Sequence, residues 1–94
     1  LSISLPKNPE ALVIKNQITK SGTSVGANYR EANRSRSKKY FKNKIKICES
    51  EASETSYWLE IIEALNWASN NKFNPIKQEA NELLAIFTSI ANKL

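Results

Sequence analysis

The stretch KKYFKNKIKICESEASETSYWLEIIEALNWA, residues 38–68, decides the fold. Within it Phe41, Ile45, Cys48, Ala52, Thr55, Leu59, Ile62 and Asn66 follow one another at alternating steps of four and three, the spacing that lines up one face of an α-helix. A stripe sustained this far predicts one helix over about 38–68, roughly 46 Å long at ~1.5 Å per residue. A rod of that length is too long for a compact ball of 94 residues, so the chain is expected to be a bundle of long helices.

The same helix carries a second apolar line, Tyr40, Ile47, Trp58, Ile61 and Leu65, turned by roughly 110° from the first. One reading makes it the edge of a broad core face with scattered surface aromatics. The other makes it a subunit interface, where Trp and Tyr are enriched. The second is the expectation: a homo-oligomer associating through these five residues.

Upstream, Asn8 suits an N-cap, Pro9 the first helical position and Glu10 the positive end of the helix dipole. Ala11, Ile14, Ile18, Val25, Tyr29 and Ala32 then share one helical face, predicting a helix over about 9–34. Gly22 and Gly26 interrupt it at a cost of about 1 kcal/mol each relative to alanine. Because the apolar phase runs through both, they are read as a Gly-x-x-x-Gly strip that lets a neighbouring backbone come close, rather than as a helix end. Ser35 to Ser37 provides a turn, with Ser37 capping the central helix. Downstream, SNNKFN at 69–74 reads as a polar break. Pro75 is then expected to open a last helix, 75–94, with Asn74 as its cap and Ile76, Ala80, Leu83, Phe87, Ile90 and Leu94 as its core line.

At 94 residues the chain fits one domain, residues 1–94, with a thin core. Two glycines and three prolines leave little material for a turn-rich β fold. The single cysteine, Cys48, excludes an intrachain disulfide and is read as a small core residue. With no histidine and no second thiol, neither a common zinc site nor the commonest general base can be assembled, so no catalytic, cofactor or metal residue is assigned. Glu51 with Glu54 and Glu60 with Glu63 are spaced to share a cation, but a solvated acidic face is the plainer reading. No apolar run reaches the ~20 residues of a membrane span, and no signal pattern opens the chain, so a cytoplasmic protein is expected.

The strongest functional signal is charge. Between residues 30 and 46 lie eight basic residues against Glu31 alone, and they account for the whole net charge of +5. Arg30, Arg34, Arg36, Lys38, Lys39, Lys42 and Lys46 are taken as candidate nucleic-acid contacts, since phosphate neutralisation supplies most sequence-independent affinity. A basic patch serves an acidic protein surface equally well, and a structural adaptor is the competing reading.

SGTSVGANYREA at 21–32, SKKYF at 37–41, ETSYWLE at 54–60 and LPKNPEALVIKNQITK at 5–20 together resemble the bacterial four-helix-bundle proteins first noticed in intervening sequences of large-subunit ribosomal RNA genes. The resemblance implies an all-α, antiparallel up-and-down four-helix bundle, homopentameric in related members and without established catalytic activity. It also brings in a similar protein that accompanies diversity-generating retroelements, where a basic surface binds reverse transcriptase and nucleic acid. Three long helices are visible here, and the family's first helix, expected before the LPK turn, is not among them. The sequence also lacks methionine, which suggests that Leu1 is not the native start.

Overall fold

The computed structural model describes residues 5–67 and 70–94, with the side chains of 70–72 left aside. The described residues form three α-helices: α1 (Pro9–Asn33), α2 (Lys38–Ala64) and α3 (Asn70–Lys93). The molecule extends 44 × 21 × 16 Å, so its long dimension is set by the central helix. None of the described helices is long and apolar enough to cross a membrane.

Local chemistry explains where most of the helices begin and end. Asn8 caps α1, its Oδ1 accepting from the Ala11 amide at 2.7 Å, with Pro9 in the first turn. Ser37 caps α2 by accepting from the Tyr40 amide at 3.1 Å. The central helix stops at Ala64, four residues before the predicted end. Asn66 is the reason. It takes a positive φ of 54°, and its amide donates to the Glu63 carbonyl while that of Trp67 donates to the Ile62 carbonyl. These two bonds make a Schellman cap with asparagine in the left-handed position. Asn66, counted in the core stripe on spacing alone, is therefore an exposed cap.

The last helix corrects the sequence reading in the other direction. It starts at Asn70, and Pro75 lies inside it rather than at its first position, so Asn74 is not a cap. Phe73 explains the extension: read as part of a polar break, it is 1% exposed and is the largest of the fully buried side chains. Burying it is worth about 1.5–3 kcal/mol, comparable with the ~3 kcal/mol an interior proline costs. The break as predicted began at Ser69, which lies outside the described residues.

α2 is the central rod, antiparallel to both neighbours. On one side Thr55 meets Ser21, Cys48 meets Val25 and Lys44 meets Asn28 of α1. On the other, Ser56 meets Asn81 and Glu63 meets Lys77 of α3. The core divides into two apolar clusters. Ile18, Leu59, Ile62, Phe73 and Ala80 form one, and Ala32, Ile45, Cys48, Ala52 and Phe87 the other. Between them the buried Ser21 and Thr55 hydroxyls share a 2.8 Å hydrogen bond.

Candidate nucleic-acid interface

The α1–α2 turn brings the basic residues to one end of the molecule and then divides them among several directions. The turn is tight: the Arg34 and Ser35 amides donate to the Glu31 and Ala32 carbonyls, and the Ser35 hydroxyl donates to the Ser37 carbonyl at 2.8 Å. Lys44 faces α1, paired with the Glu31 carboxylate, hydrogen-bonded to Asn28 and 5.3 Å from the centre of the Tyr40 ring. The hydrogen bond from Lys44, with its charge, holds the Glu31 carboxyl below the usual carboxylate range. The same bond holds the Lys44 ammonium above its ordinary value. Lys44 is thus absorbed by the fold, and it is the one basic residue of the stretch outside the candidate set.

Lys42 and Lys46 each lie two residues from Lys44, about 160° round the helix, so they project away from α1. With Lys38 they form a row within about 80° of arc and ~12 Å of length on the flank of α2 away from α1, with Lys38 in the direction of Ser56, five turns on, which meets α3. Lys38, Lys39 and Lys46 are exposed and Lys42 is half-buried. Glu49, one turn beyond Lys46, ends the row. Arg30 is two residues past Asn28, which bonds α2, and so lies about 160° away on the outer side of α1. Arg34, the C-cap of α1, and Arg36, in the turn, are exposed between these two faces. The seven candidates therefore share an end of the bundle without sharing one face. Among the described residues the ion pairs take up Lys44 and Lys77 and none of the seven.

The second apolar line of α2 has a mixed fate. Tyr40, Ile47 and Leu65 are exposed. Trp58 and Ile61 are half-buried; Trp58 packs against the Ile18–Leu59–Ile62 cluster, and its indole N–H donates to Glu54 at 3.4 Å. Tyr40 donates through its hydroxyl to Glu31 at 3.4 Å. Part of the line thus widens the core, and part stays on the surface.

The two glycines do not serve a close approach within this chain, since a Cβ at Gly22 or Gly26 would meet nothing within 4 Å. Gly22 instead borders an open groove of about 390 Å³ between α1 and α3, floored by Ala52 and Thr55 and walled by Ile18, Val25, Ile76 and Leu83. Elsewhere between the same two helices the Tyr29 ring lies edge-on to Phe87, with centroids 5.8 Å apart. Phe73 was the core residue missed from the sequence. It stands three residues before Ile76, in phase with the α3 core line, and that phase was the available signal.

An all-α antiparallel bundle with a charge-dense end at one helix turn is the class these features define. The chain belongs to the 23S rRNA-intervening sequence protein family, whose model matches residues 1–89. Among solved structures it is similar to a protein of unknown function from the S23 ribosomal protein family of Bacteroides thetaiotaomicron VPI-5482. Sequence identity is 38%, the TM-score is 0.78, and the match covers 84% of this chain and 73% of that one. No curated protein matches the chain.

Proposed function

We propose that this protein is a non-enzymatic, homo-oligomeric helical-bundle protein that binds nucleic acid through its basic end without strong sequence specificity. The observation that carries the reading is that this charge finds almost no use within the fold, Arg30 alone lying in a last helical turn where the dipole favours a cation. Arg30, Arg34, Arg36, Lys38, Lys39, Lys42 and Lys46 have no acidic partner among the described residues. Lys38 and Lys39 also occupy the first turn of α2, which holds no acid and where the helix dipole favours one. Lysines at i, i+4 spacing add mutual repulsion of a few tenths of a kcal/mol each. A phosphate backbone offsets all three costs at once. Family membership, through its link to ribosomal RNA genes, agrees with such a ligand. The absence of histidine from the sequence supports the non-enzymatic part.

The test is fluorescence anisotropy with labelled structured RNA and duplex DNA over a salt series, comparing wild type with Arg34→Glu/Lys38→Glu/Lys42→Glu. The logarithm of affinity should fall linearly with that of salt concentration, and each phosphate contact removed should flatten the slope by about one unit. In an oligomer the basic end recurs, so avidity raises a weak single-site affinity by orders of magnitude. Absence of binding to either polymer at about 50 mM salt, where phosphate contacts are strong, would overturn the reading. It would leave the same charges to dock an acidic protein, for example a reverse transcriptase.

A further inference from the structure

We infer that the nucleic acid engaged by the basic end is a double helix, gripped through its backbone, rather than a single strand. This rests on the nucleic-acid reading above and names its ligand. Single-strand binders combine a positively charged groove that follows the backbone with aromatic faces on which successive bases stack. Here concavity and charge are separated: the groove between α1 and α3 is lined by apolar, threonine and glycine residues with Glu79, and no lysine or arginine is among them.

The aromatics of the charged end are also turned elsewhere. Tyr40 lies two residues past Lys38 and two before Lys42, about 160° round the helix from either. Its hydroxyl is tied to Glu31, and Lys44 stands over its ring. The Tyr29 ring packs on Phe87, and Phe41 is half-buried against the core cluster of Ala32, Ile45 and Cys48. A base stacked on any of these would leave its phosphate far from the Lys38–Lys42–Lys46 row.

What remains is a short, straight row of charge about 12 Å long, apart from that groove. Along such a row the ligand's own charge density sets how many phosphates lie within reach. A duplex carries one charge per ~1.7 Å of axis against one per ~3.4 Å for a single strand of it, and so presents about twice as many phosphates to the same row. A duplex is also stiff over such distances and loses little freedom on contact, whereas a single strand must be ordered first.

Competition anisotropy at one salt concentration tests this with a 20-nucleotide oligo-dT, a 20-base-pair DNA duplex and a 20-base-pair RNA duplex, the two duplex arms reporting which sugar is preferred. At least one duplex should bind about tenfold or more tightly than oligo-dT. Its affinity should drop in Lys42→Ala/Lys46→Ala and stay within about twofold of wild type in Tyr29→Leu, which removes an exposed aromatic of the charged end outside the subunit line. Oligo-dT binding as tightly as both duplexes, or a tenfold loss in Tyr29→Leu with helical circular dichroism intact, would overturn the inference while leaving nucleic-acid binding in place. Failure of all three polymers to bind would overturn both.

Discussion

Ser21 and Thr55 show how a single contact sets the register of this bundle. Both are buried, between two apolar clusters, and each hydroxyl also has a carbonyl of its own helix within reach: Ile18 at 3.2 Å for Ser21, Glu51 at 2.9 Å for Thr55. Sliding α1 against α2 would separate the two oxygens and remove the one buried hydrogen bond between them. Substituting one partner strips the cross-helix bond but leaves the other its local carbonyl, so Ser21→Ala and Thr55→Val should each cost about 0.5–1.5 kcal/mol. The double variant should cost clearly less than the sum, because both single variants lose the same cross-helix bond and it can be lost only once. Urea denaturation of the four proteins in a cycle measures the coupling. Strict additivity would show that the pair acts as two independent hydroxyls. From the sequence Ser21 was only part of a small-residue seam. Its bond to a residue 34 positions away is a tertiary fact that no local spacing encodes.

At the scale of the helix, the starts of α1 and α2 were legible because Asn8–Pro9 and Ser37 act on amides within three residues of themselves. The end of α2 and the start of α3 were not, for opposite reasons. Asn66 fell in the apolar phase and was counted as helix, although its ability to adopt a positive φ makes it a natural stop. Pro75 was taken as a start signal, but the buried Phe73 lies upstream of it and draws the helix back. In each case a local rule met a competing local or tertiary term. The cap gives a sharp expectation: Asn66→Val should destabilise the protein by about 1–2 kcal/mol, since a β-branched residue is strained in the left-handed region. Asn66→Gly should be neutral or mildly stabilising. Thermal melts followed by circular dichroism separate these outcomes, and equal melting temperatures for the two variants would mean that the cap contributes nothing. The seven basic candidates were found by composition alone. Their division between α1, the turn and the flank of α2 away from α1 required the helices to be placed.

At the scale of the whole molecule, more apolar surface remains than three helices cover. Ile47 and Leu65 stand exposed on α2, 39% and 48% accessible, while Leu83 and Ile86 stand exposed on α3, Leu83 lining the groove. Association through the Tyr40–Ile47–Trp58–Ile61–Leu65 line predicts an oligomer at micromolar concentration by sedimentation equilibrium. Ile47 and Leu65 are the residues to change, because Trp58 also packs against the core and its loss would confuse interface with stability. Ile47→Asp/Leu65→Asp should therefore yield a monomer with unchanged helical content, a charge being far costlier in a desolvated contact than on an exposed face. Leu83→Asp/Ile86→Asp, on α3, should leave the assembly intact. The reverse pattern would move the subunit contact to α3, and a wild-type monomer would remove it altogether. Because Ile47 lies next to Lys46 in the chain, an assembly built on this line also carries the lysine row to the edge of each contact. The α2 stripe would then set how closely successive basic ends stand, and with that the length of duplex they could span.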